Sequence, residues 1–212
     1  MVKNAAVIGA LLVFAFSILV TSTLRTATPQ YSFSTPPVAE VLGQDPSVDS
    51  GQGATGSAKP VQYYLPHYGI LPTHPLWIVK AVRDRLWLAL TINDLKRANL
   101  LLLLGDKRIG MANELFSADN AEEGVPAAYK AEQYLEAAFN EEEDIAKSGF
   151  DTTDLLTRFA LSALKHREVL NAISVKAPDD ARPHITEALN ITRRVYEGAK
   201  ARLGERSRPI PQ

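Results

Sequence analysis

Four histidines, His67, His74, His166 and His184, and one run of carboxylates, Glu141-Glu142-Glu143-Asp144, are the side chains of this sequence best suited to metal or acid–base chemistry. Helix-borne zinc sites set two histidines four residues apart, or use His-Glu-x-x-His, so that both imidazoles leave one face. Neither pattern occurs here. Glu168 follows His166 by two residues, a spacing that splits a pair between different sides of a helix. His166 falls on an apolar stripe between Ala163 and Leu170, which predicts a hydrogen-bonded histidine at the boundary of a core. Cation-binding loops alternate their ligands around a glycine turn. Consecutive carboxylates on a helix instead point around it, so the acidic run reads as a solvated face. Lying near the C-terminal end of a helix, it also opposes the helix dipole.

No other arrangement supplies chemistry. The sequence has no nucleophile elbow, phosphate loop, dinucleotide fingerprint or zincin motif. It has no cysteine, which excludes a thiol nucleophile, a disulfide framework, a Cys-based zinc site and a lipid-bearing cysteine. Asn190-Ile191-Thr192 matches a glycosylation sequon but sits mid-helix, where it reads as chance. The expectation is therefore a chain that is not an enzyme, with no catalytic residue, no cofactor and no metal. A formal charge of −1 over 212 residues gives no global attraction to nucleic acid. The basic residues near the end, Arg182, Arg193, Arg194, Lys200, Arg202, Arg206 and Arg208, read as a charged helix face. Contact with an anionic polymer, lipid or protein is the alternative.

The elements that would position these residues differ sharply along the chain. Residues 5–20 carry no charge, with Lys3 before them and Arg25 after. A helix over residues 2–24, rising about 1.5 Å per residue, would just cross a ~30 Å hydrocarbon layer. Residues 1–25 are thus expected to be a transmembrane anchor or a signal segment, and the lack of a clean A-x-A site favours the anchor. Lys3 favours a C-terminal domain outside the cytoplasm, secreted if the segment is cleaved. Residues 26–62, rich in Ser, Thr, Pro and Gly, bury too little to offset the entropy of ordering and predict a flexible linker.

Residues 63–205 predict an all-α bundle of about five helices, with 206–212 as a tail. The first helix is expected over residues 75–90, with Lys80, Arg83 and Asp84 as its polar face and its apolar residues closing one side of the bundle. Alternatively, its mixture of aromatic and basic residues suits a membrane interface. The second runs to about Ser117 with Thr91 or Asn93 as cap. Its stripe is Leu95, Ala98, Leu102, Gly105, Ile109, Ala112 and Phe116, where the small residues admit a close neighbour. The third, over about residues 125–147, turns Ala128, Ala131, Leu135, Ala138 and Ile145 inward. The fourth, capped by Asp151 or Thr152, turns Leu156, Phe159, Ala163, Leu170 and Ile173 inward. The fifth, over about residues 179–203, uses Ile185, Leu189, Thr192, Val195 or Tyr196, and Ala199.

The segment Leu65-Pro66, then Tyr68-Gly69-Ile70-Leu71-Pro72 and His74-Pro75-Leu76, resembles the Y-G-x-L-P-x-x-P-L opening of an uncharacterised family of bacterial membrane-anchored or secreted helical proteins. Lys80, Arg83-Asp84, Lys96-Arg97-Ala98, Asp106-Lys107-Arg108 and Ala131-Glu132-x-Tyr134-Leu135 are similar to that family as well. The resemblance covers residues 65–139 and implies an architecture and a cellular address, not an activity. Arg83-Asp84 and Asp106-Lys107-Arg108 are expected to form an ion-pair network between the first two helices. The sequence thus reads as a membrane-tethered extracytoplasmic module, non-enzymatic, binding a protein or an anionic polymer of the cell envelope. The alternative is a sensor that binds an ion or small molecule between helices through His67, His74 or the acidic run. The oligomeric state is open.

Overall fold

A computed structural model describes residues 61–206; the apolar segment 1–25, the linker up to residue 60 and the tail 207–212 lie outside the described residues. Five helices follow one another: α1 (Trp77–Leu90), α2 (Asp94–Ser117), α3 (Ala121–Lys147), α4 (Thr153–Lys176) and α5 (Arg182–Arg206). Among the described residues there is no strand, and no helix is long and apolar enough to cross a membrane.

The helix ends follow local chemistry. Asn93 accepts the Lys96 amide at 2.9 Å and Asn120 the Glu123 amide at 3.1 Å, which satisfies amide donors that a first turn leaves open. The Asp151 carboxylate accepts the Thr153 amide and starts α4. The third helix begins before the expected residue 125, because Asn120 caps it first and Pro126 falls inside it. Pro126 removes one hydrogen bond, and the turn is held from outside, where Gly124 lies flat against the Phe116 ring.

α2 and α3 form an antiparallel hairpin, and α4 and α5 form another. The hairpins pack side by side, with α3 along α5 and α2 along α4. Both of those contacts are parallel: Glu132, Glu136 and Glu142 on α3 meet Thr192, Arg194 and Arg202 in that order, and Asn99 and Asp106 meet Arg158 and Ser162. The expected stripes make the core. All the residues predicted inward on α2, α3 and α4 are buried except Leu95, and on α5 only Leu189 is half-exposed. A Cβ on Gly105 would stand 3.1 Å from the Ala131 carbonyl oxygen, the close approach its small-residue stripe foretells.

The core comes in two halves. One gathers around Leu102, Leu135, Phe139, Phe159 and Tyr196, with Phe139 and Phe159 edge to face at 6.0 Å. The other gathers around Ile109, Phe116, Ala128, Leu170, Ile173 and Ile185. Residues 61–66 carry no regular secondary structure and pack onto the bundle through Val61, Tyr63 and Leu65, pinned where the Glu168 carboxylate accepts the Val61 amide. α1 lies apart, and among the described helices only α2 comes near it along the backbone.

Candidate functional site

Between the two apolar halves lies a polar layer to which every helix of the four-helix bundle contributes. Asp106 stands between Leu102 and Ile109 on α2, Glu132 between Ala128 and Leu135 on α3, His166 between Ala163 and Leu170 on α4, and Thr192 between Ala188 and Val195 on α5. His166 is 0 % exposed. Its Nδ1 lies 2.8 Å from Glu132 Oε1 and its Nε2 3.1 Å from Asp106 Oδ1. Burial alone would lower the imidazole pKa, but the Glu132 charge and the hydrogen bonds to both carboxylates outweigh it and push the value up to about 9. At neutral pH both ring nitrogens therefore carry protons and donate.

The remaining carboxylate oxygens are also satisfied. Ser162 donates to Asp106 Oδ1 and Tyr63 to Asp106 Oδ2, each at 2.6 Å. Thr192 donates to Glu132 Oε2 at 2.6 Å. Burial and the Asp106 charge raise the Tyr63 phenol well above its usual value, which keeps it a donor. His166 is thus the middle of the core, not its boundary. Its two partners sit on opposite ring nitrogens, so the three groups do not converge on a common point. Ser162 gives its proton to a carboxylate rather than to the imidazole, which is not the geometry of an activated nucleophile. Among the described residues no group of His, Asp and Glu is arranged to hold a metal ion.

The acidic run is not a uniformly solvated face. Glu142 is 1 % exposed and takes Arg202 at 2.5 Å, Arg206 at 2.6 Å and the Thr152 hydroxyl. Arg206 also donates to Thr152, and the Arg202 guanidinium stacks 4.2 Å from the Phe139 ring centroid. Glu141 pairs with Arg97 at 2.8 Å, while Glu143 and Asp144 face Lys147. Because the run winds around the helix, its carboxylates meet cations of three different elements, which compensates the unfavourable dipole. The basic end of the chain is largely consumed in the same way: Arg194 pairs with Glu136 and Arg182 with Asp179.

α1 is turned over relative to expectation. Asp84 is its one buried residue. Trp77, Lys80, Arg83, Trp87 and Leu88 are half-buried on the same side, whereas Ile78, Val79, Val82, Leu86 and Leu90 are exposed, Ile78 by 71 % and Leu90 by 77 %. The expected polar face is the inner one. Cations collect at its seam with α2 and α3. Lys80 Nζ and the Arg108 guanidinium lie 4.6 and 4.8 Å from the Trp77 centroid, and Lys130 Nζ lies 5.0 Å from that of Tyr134. Arg83 pairs with its neighbour Asp84 at 2.7 Å, and Asp106 turns to the core. The expected ion-pair network between α1 and α2 is therefore replaced by this basic seam. Burial, then the positive charges of Arg108, Lys107 and Arg83 against the single opposing charge of Asp84, hold Lys80 down at about 8.

The other residues singled out in the sequence spread along the opening segment. Leu65 and Leu71 pack against the core, Pro66 is buried, and Tyr68 covers Gly110. Gly69 turns with φ 73°, which favours glycine. Ile70, His74, Pro75 and Leu76 are exposed and Pro72 is half-buried. His74 Nδ1 accepts the Leu76 amide, Lys80 donates to the Tyr68 carbonyl, and Lys96 is exposed. His67 lies beside Tyr68, ring centroids 5.0 Å apart, and His184 is exposed. The four histidines are thus not brought together.

Sequence reasoning placed Thr192 inward but missed Asp106, Glu132 and Glu142 as interior residues. A signal existed, because each stands on an inward stripe, three or four residues from apolar core positions on either side. Comparison with curated proteins and with solved structures gives no significant match. The model of a family described as a domain of unknown function, DUF5667, matches residues 69–180, from the turn at Gly69 to the loop before α5. Since that span is more than half of the chain, this protein belongs to the DUF5667 family.

Proposed function

We propose that this chain is a membrane-tethered, extracytoplasmic helical module that works by binding a component of the cell envelope, a protein or a polymer, rather than by catalysis. The observation that carries this reading is α1. A helix with charged residues turned inward and five large apolar side chains outward is a surface that the described residues leave open. The uncharged segment before the linker supports the tether. The groups best suited to chemistry are occupied by one another: His166 is held by Glu132 and Asp106, and Glu142 by Arg202 and Arg206, all four of His166, Asp106, Glu132 and Glu142 being buried.

The test is capture from native membranes by the full chain, compared with an Ile78→Ser/Val82→Ser/Leu86→Ser variant. These side chains are exposed, so the fold survives the change, as circular dichroism would verify. An envelope component retained by the unaltered chain and lost from the variant supports the reading. Equal retention by both, or turnover of an envelope polymer by the purified chain, overturns it.

A further inference from the structure

We infer that the surface α1 fits is that of an anionic lipid bilayer, with the outward apolar stripe entering the acyl boundary and the flanking cations meeting lipid phosphates. This rests on the reading of α1 as the contact face and adds the lipid of the envelope to what that face contacts.

The first support is angular. At roughly 100° per residue, Ile78, Val79, Val82, Leu86, Ala89 and Leu90 fall within about 120° of one another, and all six are exposed. Arg85 lies just beyond one edge of this stripe and Arg83 just beyond the other. A protein-binding helix commonly has rims of both signs, which set register and orientation. Here, from Leu76 to Ile92, the charges are Lys80, Arg83 and Arg85 against Asp84 alone, and Asp84 is buried against Arg83. The rim presented to a partner is purely positive.

The second support is depth. A helix is about 10 Å across, and an interfacial helix sinks its apolar face some 5–10 Å into the boundary between headgroups and acyl chains. With the stripe immersed, the seam on the far side of α1 stands at the level of the phosphates. That seam holds Lys80, Arg108 and Lys130 against the Trp77 and Tyr134 rings. Amphipathic aromatics and long basic side chains favour this level. A second copy of the chain suits the face less well, because two such rims brought together would set arginine against arginine.

The native tryptophans, Trp77 and Trp87, are half-buried on the inner side of α1, so the probe is a Val79→Trp variant, which sets an indole within the stripe. This full chain, reconstituted into phosphatidylcholine vesicles with and without phosphatidylglycerol, is expected to show, relative to the unaltered chain, added blue-shifted emission only with the anionic lipid. Lipids brominated on the acyl chains should then quench it. In the same Val79→Trp background, the serine triple variant should lose both effects. Arg85→Gln should weaken them about fivefold, the effect of one basic residue near an anionic surface. Emission and quenching that are the same in both lipids, or unchanged in the triple variant, overturn the proposal. If lipid has no effect while an envelope protein is still captured through α1, the lipid assignment fails and the binding role stands. If neither occurs, both fail.

Discussion

Raising the pH should loosen this bundle through one residue, His166. Its proton is held by Glu132 and Asp106, and its pKa moves from an ordinary 6.5 to about 9. The native state therefore keeps a proton that the unfolded chain releases earlier, so stability must fall as pH rises. The contribution is whole below about pH 6.5, declines between there and about 9, and is gone above. A shift of this size corresponds to about 3 kcal/mol, a large part of the 5–15 kcal/mol typical of a domain. Lys80 complicates the measurement. Its pKa is lowered to about 8, so its contribution grows with pH over a partly overlapping window. The remedy is a difference between two chains that share Lys80. Urea unfolding, followed by circular dichroism, is compared for the unaltered chain and His166→Gln at several values from pH 6 to pH 10. The variant should be less stable near neutrality, and the gap between the two should shrink by about 3 kcal/mol across the window. A gap that stays constant with pH would refute the protonated, doubly bonded imidazole.

Five further substitutions probe the packing. Glu142→Ala removes the buried partner of Arg202 and Arg206 and should cost about 3 kcal/mol in urea unfolding; Glu143→Ala, on the solvent side of the same run, should leave the midpoint where it is. Tyr63→Phe leaves one Asp106 oxygen without its donor and should cost about 1–3 kcal/mol, with faster hydrogen exchange at the Val61 amide. Gly198→Ala and Gly204→Ala should have opposite signs. A Cβ at Gly198 would sit 2.7 Å from the Phe139 ring, whereas nothing lies within 4 Å at Gly204. The Phe139 ring is confined by Phe159 and Arg202, so Gly198→Ala should lose about 1 kcal/mol net, while Gly204→Ala gains about 0.5–1 kcal/mol in thermal unfolding.

The stripes of α2 to α5 were legible because burial on one side of a helix leaves a periodic trace, and Ala98, Ile109, Phe159 and Ile185 are buried as that trace requires. Helix caps were legible where Asn93 and Asp151 precede apolar runs. The orientation of α1 was not. Amphipathic spacing separates two faces but does not say which one is covered when the helix packs on a single neighbour. Lys80, Arg83 and Asp84 were read as outward because charge normally seeks water, and here they line a seam with α2 instead. The polar layer was hidden for a different reason. One histidine or carboxylate on a stripe looks like an isolated exception, and only the parallel register of α2 against α4 and α3 against α5 brings His166, Asp106, Glu132 and Thr192 to one level. The apolar segment before residue 61 was read for an address, and it falls outside the described residues.

The polar layer also separates two lengths that are easily taken as one, the stretch a family shares and the stretch that folds. The shared stretch, residues 69–180, holds Asp106, Glu132, Glu142 and His166. The groups that complete them stand beyond its ends: Tyr63 before, and Thr192, Arg202 and Arg206 after. A chain trimmed to the shared stretch would keep its buried acids and lose several of their donors, along with the helix that closes both halves of the core. The unit that folds is therefore longer than the matched stretch at both ends, and its limits are set by the donors that its buried acids need.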